Sequence, residues 1–329
     1  MPTSSGSAKR FRSRALRALV TGADGFVGKY LVRALQERGY DVTAAGGPSA
    51  TDGMLRIDVG DIDTLRHAFE VSNPDTVFHL AGQAFVPHAI EKPLEAFEIN
   101  AMGTARLLEA IRTSGRTRET FPRFVLAGSA SVYGRISKSK NPLHEEYPIE
   151  PVDPYGASKA AAGCFASAAW CSYRIPVVIA RSFNHIGPGQ SPDFVVPSFA
   201  QQLARIKAGR EKPVMYVGDL TTERDFLDVR DVVDAYITLA ENGEPGEVYN
   251  VCSGVPMRIQ DILRLLIQIA DVPLEVREDP ARIRGSDVRT FYGDNTKLCA
   301  LGWAPKVPLG RSLSEIFEAF VAEQLQITQ

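Results

Sequence analysis

Short apolar runs alternate with longer amphipathic segments through the first half of the chain. The run RALVTG ends in glycine, and GKYLVRALQERGY then repeats apolar residues at helical spacing until Gly39 supplies a stop. The same order recurs downstream. DVTAAGG and MLRIDVGD read as strands, DIDTLRHAFEVS as a helix and DTVFHLAG as a strand; PLEAFEINAMGTARLLEAIRTS follows as a helix and RFVLAGS as a strand. A helix over 155–171 and the strand PVVIARS continue the series. Apolar strands without polar alternation are covered on both faces, so the pattern predicts βαβ units and an α/β fold built on a parallel sheet.

After Arg181 the texture changes to FNHIGPGQSPDFVVPSF, rich in Gly, Pro and Asn. This predicts a main body over 15–181 and a smaller α/β domain at 182–220 and 254–329. The segments RDFLDVRDVVDAYITLA and EVYNVCSG, within 221–253, are expected to return to the main sheet. The opening MPTSSGSAKRFRSRALR is Ser- and Arg-rich without an apolar core, so 1–14 is expected as a disordered tail rather than a secretory signal.

Composition narrows the classes. The 329 residues, 44% hydrophobic, are enough to bury a large core, and a formal net charge of −2 leaves no footprint for nucleic acid or an anionic membrane. No stretch approaches the roughly 20 apolar residues that cross a bilayer. Cys164 and Cys171, seven apart on a helix, lie roughly 10 Å apart along its axis, too far to bridge. With Cys252 and Cys299 they fit reduced thiols in a cytoplasmic enzyme. The five histidines lack ligand spacing, so no metal is expected.

LVTGADGFVG places Gly22, Gly25 and Gly28 after the first strand and at the start of a helix. Such glycines allow a tight turn, backbone approach to a pyrophosphate and close helix–strand packing, while the helix N-terminus offers N–H donors to the phosphates. The main body is therefore expected to bind a dinucleotide and the smaller domain a substrate. The second strand ordinarily carries an acid for the adenosine ribose 2′-hydroxyl, but here it ends in Ala44, Ala45 and Gly46. Missing negative charge favours NADP, with NAD still possible. Asp58 and Val59 are expected at the adenine edge, and HLAG, with Leu80, Ala81 and Gly82, along the cofactor. His79 reads equally as a contact or as a core residue.

DPYGASKAA sets Tyr155 and Lys159 four residues apart, on one helical face. An ammonium near a phenol is expected to lower the phenol's pKa into catalytic range. LAGSASVYG brings two hydroxyls, Ser129 and Ser131, to a strand end; a capping role is the plain reading of Ser131.

With these motifs the chain resembles the extended short-chain dehydrogenase/reductase family. TGADGFVG, HLAG, NAMGT, SASVYG, YGASK, RDFLDVRDVVDA, YNVCSG and LGWAPKVPL carry the resemblance, which covers nearly all of the chain after the tail. It implies a Rossmann-type doubly wound sheet of seven parallel strands, a nucleotide-sugar substrate, and Ser129, Tyr155 and Lys159 as catalytic triad. Phe26 and Val27 would line the cofactor with the glycines, as would Asn100, Tyr155 and Lys159, and Asn100 would also steady the catalytic helix and a water. RSFNHIGPGQ, FAQQLARIKAG, GDLTTERDFLDV and RIRGSDV look most like enzymes acting on GDP-mannose derivatives. By that likeness Asn184 and Arg224 contact the nucleotide or diphosphate and Arg284 clamps phosphate, although Arg284-Gly285 stands where the family has Arg-Pro.

The implied reaction is NAD(P)H-dependent reduction of the 4-keto group of a GDP-4-keto-6-deoxy-hexose, giving GDP-rhamnose or GDP-6-deoxytalose. The alternatives are a GDP-mannose 4,6-dehydratase, a nucleotide-sugar 4-epimerase and a nucleotide-binding regulator. Dehydratases of this kind carry carboxylates where this chain has Ala130 and Ser131, and Glu145 and Glu146 sit in a Pro-flanked loop expected to be solvated. The small residues of ASKAAAGCFASAA suggest a homodimer through helices near 103–113 and 155–171.

Overall fold

In β1 (Arg17–Thr21), Ala18 and Val20 pack into one layer and Leu19 into the other. The same period-two split recurs in the other central strands, as a sheet covered on both faces requires. The computed structural model describes residues 14–51, 53–136, 140–282 and 288–326. After β1 come α1 (Phe26–Glu37), β2 (Asp41–Gly46), β3 (Leu55–Arg56), α2 (Ile62–Ser72) and β4 (Thr76–His79). The chain continues through α3 (Val86–Glu91), α4 (Pro93–Phe97), α5 (Gly103–Arg112), β5 (Arg123–Ala127), α6 (Pro154–Tyr173) and β6 (Val177–Ser182). Leu31 and Leu35 of α1 join Val20, Phe78, Val125 and Val178 in one core; Leu65 of α2, Leu107 of α5 and Ala166 of α6 join Leu19, Val77 and Phe124 in the other.

The later elements are β7 (Asn184–Ile186), α7 (Val195–Lys207), β8 (Val214–Val217), β9 (Glu223–Asp228), α8 (Val229–Asn242) and β10 (Val248–Val251). Then follow β11 (Pro256–Arg258), α9 (Ile259–Ala270), β12 (Glu275–Glu278), β13 (Thr290–Phe291), α10 (Thr296–Cys299) and α11 (Leu309–Gln326). Seven strands form one parallel sheet in the order β10-β6-β5-β4-β1-β2-β3. The order reverses between β1 and β4, and ligands of open α/β sheets sit outside the carboxyl ends of the strands at such a point.

Three expectations are corrected. β10 rejoins the main sheet, but β9 does not: it pairs with β7, β11 and β13 in a second sheet, over a separate core that includes Phe199, Ile262 and Phe317. Helix α8, directly after β9, packs back on the main sheet through Val232 and Tyr236, so the chain crosses between layers at Asp228. The segment expected as one helix over PLEAFEINAMGTARLLEAIRTS is interrupted by a π-turn at Glu98–Met102. The extra residue of a π-turn re-aims its side chains, and here Asn100 is buried. Residues 1–13 of the expected tail lie outside the described residues, but Arg14 is tied to Asp75 by two hydrogen bonds, at 2.8 and 3.2 Å.

His79, at the end of β4, resolves to the core. Its Nδ1 lies 2.7 Å from the Thr21 hydroxyl and its Nε2 3.1 Å from that of Thr104. Burial, helped by the charge of Lys159, drives its pKa down to about 3. An unfolded chain would protonate this imidazole near 6.5, so between the two values the unfolded state binds more protons and stability is lost as pH falls. Urea unfolding at pH 7, 6 and 5 should show a slope of up to ~1.4 kcal/mol per pH unit from His79. The His79→Gln variant should unfold with a shallower pH slope than the parent, whatever its absolute stability.

Candidate active site at the carboxyl edge of the sheet

The turn from β1 into α1 is shaped by backbone contact. Gly22 has a φ of +70°, and a Cβ there would sit 2.7 Å from the Ala81 amide nitrogen. A Cβ on Gly28 would meet the Gly22 carbonyl oxygen at 2.1 Å, so α1 can lie against the turn only because residue 28 has no side chain. Gly25 is the N-cap of α1; it supplies no side-chain acceptor, and the first turn of the helix has no acidic residue. The helix end therefore presents backbone N–H donors and the positive end of its dipole, which suits a pyrophosphate. Of the other residues expected to line this region, Val27 packs into the core, Phe26 stacks on His185 at 6.2 Å, and Val59 packs under Gly103. Asp58 is exposed and holds the Gly60 amide at 2.8 Å. Leu80 and Ala81 border Gly22, and a Cβ on Gly82 would lie 3.2 Å from Lys159 Nζ. A dinucleotide fits this cradle, from the α1 terminus to Gly82.

The end of β2 is not bare of charge, as its sequence had suggested. The carboxylate of Asp24, from the glycine turn, accepts the Gly47 amide at 3.3 Å, and its Cγ lies 2.9 Å from where a Gly46 Cβ would be. A search for an acid on the strand itself passes over a residue in the preceding turn. The available signal was the acid inside the glycine motif coupled to two glycines at the strand end.

The hydroxyls and the amine converge on β5 and α6. Ser129 follows β5 and caps a 3₁₀ turn over Ala130–Tyr133 by accepting the Ser131 amide at 3.1 Å. The capping hydroxyl is thus Ser129, not Ser131. Ser129 is buried and lies near enough to Tyr155 to influence its titration. Helix α6 begins at Pro154, with Asp153 as N-cap accepting the Gly156 amide at 2.8 Å. Lys159 Nζ, one turn on from Tyr155, donates to the Ala127 carbonyl at 3.0 Å. Asn100 Nδ2 donates to Ser158 Oγ at 2.9 Å and to the Gln83 carbonyl at 3.1 Å, while its Oδ1 accepts the Gln83 amide at 2.9 Å. It therefore fixes α6 against the loop after β4.

The electrostatics differ from the expected pair. Burial raises the Tyr155 phenol above its ordinary value; the Ser129 hydroxyl opposes the rise and the charge of Asp153 adds to it. Lys159, instead of pulling the phenol down, is itself pushed down to about 8 by burial. Both shifts have one cause: removal from water disfavours whichever form carries charge.

Sequence reasoning also missed the support beneath the Ser129 turn. Tyr133 donates to Asn250 Oδ1 at 2.7 Å and accepts from buried Arg181 at 3.1 Å. Glu145, expected in solvent, accepts the Asn250 amide at 2.7 Å, and its carbonyl accepts from Arg181 at 2.8 Å. Glu146 is exposed, as expected. On the second sheet Asn184 is exposed and donates to the Asp225 carbonyl at 3.1 Å. Arg224, two strand positions from Phe226, donates to the Glu223 carbonyl at 2.8 Å; burial lowers its pKa, opposed by Asp219. The β7–β9 pairing brings Asn184 and Arg224 onto one sheet. Arg284 lies outside the described residues. Among the described residues, no cluster of three or more His, Cys, Asp or Glu could hold a metal ion, and no helix is long and apolar enough to cross a membrane.

The family model described as GDP-mannose 4,6 dehydratase matches residues 19–316. A GDP-6-deoxy-D-mannose reductase from Pseudomonas aeruginosa is 40% identical over 302 residues, spanning 91% of this chain and 95% of the relative. The structure of RMD from Pseudomonas aeruginosa complexed with NADPH aligns with a TM-score of 0.82 at 36% identity, over 93% of this chain and 99% of that one. A UDP-glucose 4-epimerase of Thermus thermophilus, in complex with NAD, aligns with a TM-score of 0.82 at 30% identity, over 93% and 99% of the two chains. The match thus runs along nearly the whole of this chain, and the chain belongs to the GDP-mannose 4,6-dehydratase family of extended short-chain dehydrogenases/reductases.

Proposed function

We propose that the protein reduces the 4-keto group of a GDP-4-keto-6-deoxy-hexose, with NADPH as reductant and NADH also accommodated. The observation that carries this reading is the convergence of Ser129, at the end of β5, with Tyr155 and Lys159 on α6, where Lys159 Nζ donates to the Ala127 carbonyl at 3.0 Å. The 40% identical GDP-6-deoxy-D-mannose reductase supports the substrate and the manno configuration of the product, GDP-rhamnose, over 6-deoxytalose.

The bound dinucleotide supplies the hydride. The chain supplies the rest. Ser129 hydrogen-bonds the carbonyl oxygen, and Tyr155 gives its proton to the alkoxide that develops there; a phenol kept neutral at working pH suits an acid. Lys159, as an ammonium, stabilises the phenolate left behind and binds the nicotinamide ribose. Asn184 and Arg224 hold the nucleotide diphosphate from the second sheet, with Arg284 as a third contact. The main body, 15–181, is the dinucleotide domain, and the segments 182–220 and 254–329 form the substrate domain.

The dehydratase reading requires more than hydride transfer. Eliminating water between C5 and C6 needs a base and an acid, and alanine at 130 can be neither. Asp153 and Glu145 are committed to backbone amides. The cell compartment proposed is the cytoplasm, where the free, exposed thiols of Cys164 and Cys171 stay reduced. We also propose a homodimer through α4, α5 and α6. The small residues Ala162, Ala166 and Ala169 face the protein's own sheet, so they are not the contact surface; Leu94, Met102 and Phe165 on the outward side are exposed and apolar.

Incubation with GDP-4-keto-6-deoxymannose should oxidise NADPH and yield GDP-rhamnose by NMR, while GDP-mannose alone should yield no keto sugar. Tyr155→Phe should keep NADPH binding and lose roughly 100- to 10,000-fold in turnover; near-normal turnover would remove Tyr155 as the acid. The reductive kcat/KM should fall as pH rises through about 8, because Lys159 then loses the charge that stabilises the phenolate. Lys159→Arg should shift that limb to higher pH, and a flat profile to pH 10 would contradict the role. Light scattering at micromolar concentration should give a dimer mass, and Phe165→Glu should give the monomer.

A further inference from the structure

In other dinucleotide sites an acid at the end of the second strand accepts the adenosine ribose 2′-hydroxyl. The β2 strand of this chain has no such residue, yet a carboxylate occupies the end of the strand. Asp24 reaches there from the glycine turn and is fixed by the Gly47 amide at 3.3 Å. Its Cγ and Oδ1 lie 2.9 and 3.1 Å from where a Gly46 Cβ would project, in the space a strand-borne acid would use. Gly46 is thus required for the substitution: any side chain at that position would collide with Asp24, and also with Ala50 Cβ at 2.6 Å. Among the described residues no lysine or arginine forms an ion pair with Asp24; the nearest basic residue in the strand register is Arg56 of β3, paired with Gly46.

We infer that Asp24 is the specificity-determining residue of the adenosine end of the site, accepting the ribose 2′-hydroxyl and thereby admitting NADH. This rests on the dinucleotide reading of the glycine turn. A carboxylate accepts a hydrogen bond from the hydroxyl of NADH, whereas the 2′-phosphate of NADPH has no proton to donate and meets a like charge. NADPH must therefore bind through the rest of the cradle against this local repulsion. Asp24 narrows a preference for NADPH that the relatives' example would otherwise predict.

The test is the ratio of dissociation constants for NADPH and NADH, measured by titration calorimetry without substrate on the full chain and on its Asp24 variants. Asp24→Asn keeps the shape and an acceptor for the Gly47 amide but removes the charge. It should shift the ratio toward NADPH by roughly tenfold or more, chiefly through tighter NADPH binding. Asp24→Ser should move it in the same direction, and Asp24→Glu, which keeps the charge, should move it less than either. A ratio unchanged within twofold in both uncharged variants, with both nucleotides still bound, would overturn the role of Asp24 and leave the dinucleotide site standing. Failure of the parent chain to bind either nucleotide would overturn both.

Discussion

Close backbone contact at the carboxyl edge of the parallel sheet constrains everything built around it. Gly22 stands against the backbone of Leu80 and Ala81, and Gly28 stands against the carbonyl of Gly22. With no side chain in either gap, β1, α1 and the loop after β4 meet at van der Waals distance. The Thr21–His79–Thr104 hydrogen bonds lock the same junction from below, so the direction of α1 is set by two strands and a helix at once. Placing a β-carbon at 22 or 28 would push α1 away from the sheet and disturb the cofactor end and the Gly82–Lys159 approach together.

On the other side of the edge, the geometry depends on a chain of buried polar groups. Asn100 reaches α6 only because the π-turn swings it inward, and Ser158 receives it one residue before Lys159. Beneath Ser129, Tyr133 is held by Asn250 and Arg181, with Glu145 closing the set. Buried groups of this kind are costly unless satisfied, and a satisfied network keeps a turn in one arrangement. The Ser129 hydroxyl is thereby held in place, accepting the Ser131 amide and keeping its own proton for a further partner.

Periodicity made the sheet and its helices legible, because strands covered on both faces read as apolar runs and Gly39 is a genuine stop, with a φ of +78°. It did not reveal that β9 belongs to a different sheet. RDFLDV carries three charged residues yet is buried from Asp225 onward, and periodicity carries no information on which neighbour does the covering. The Tyr155–Lys159 spacing gave the proximity of the pair but not its electrostatics. A nearby ammonium can lower a phenol's pKa, but at Tyr155 desolvation is the largest influence and raises it, and Lys159 does not figure among the groups that shift it. Asp24 and Glu145 were obscure for a related reason, because each acts across the fold on a segment far away in the chain. Arg284 falls outside the described residues, so the third expected substrate contact rests on the sequence alone.

The missing side-chain cap on α1 reaches beyond catalysis. Twelve residues of helix start at a glycine that offers its first amides no side-chain acceptor, although glycine at such a position is only a few tenths of a kcal/mol worse than a capping side chain. An anion that docks there completes the helix end as well as filling a site. Ligand binding to the folded chain alone adds RT ln(1 + [L]/Kd), about 2.7 kcal/mol at a hundred times Kd. Occupancy of the dinucleotide site is thereby coupled to the stability of the fold: the chain with its helix end filled unfolds less readily than the same chain without a ligand.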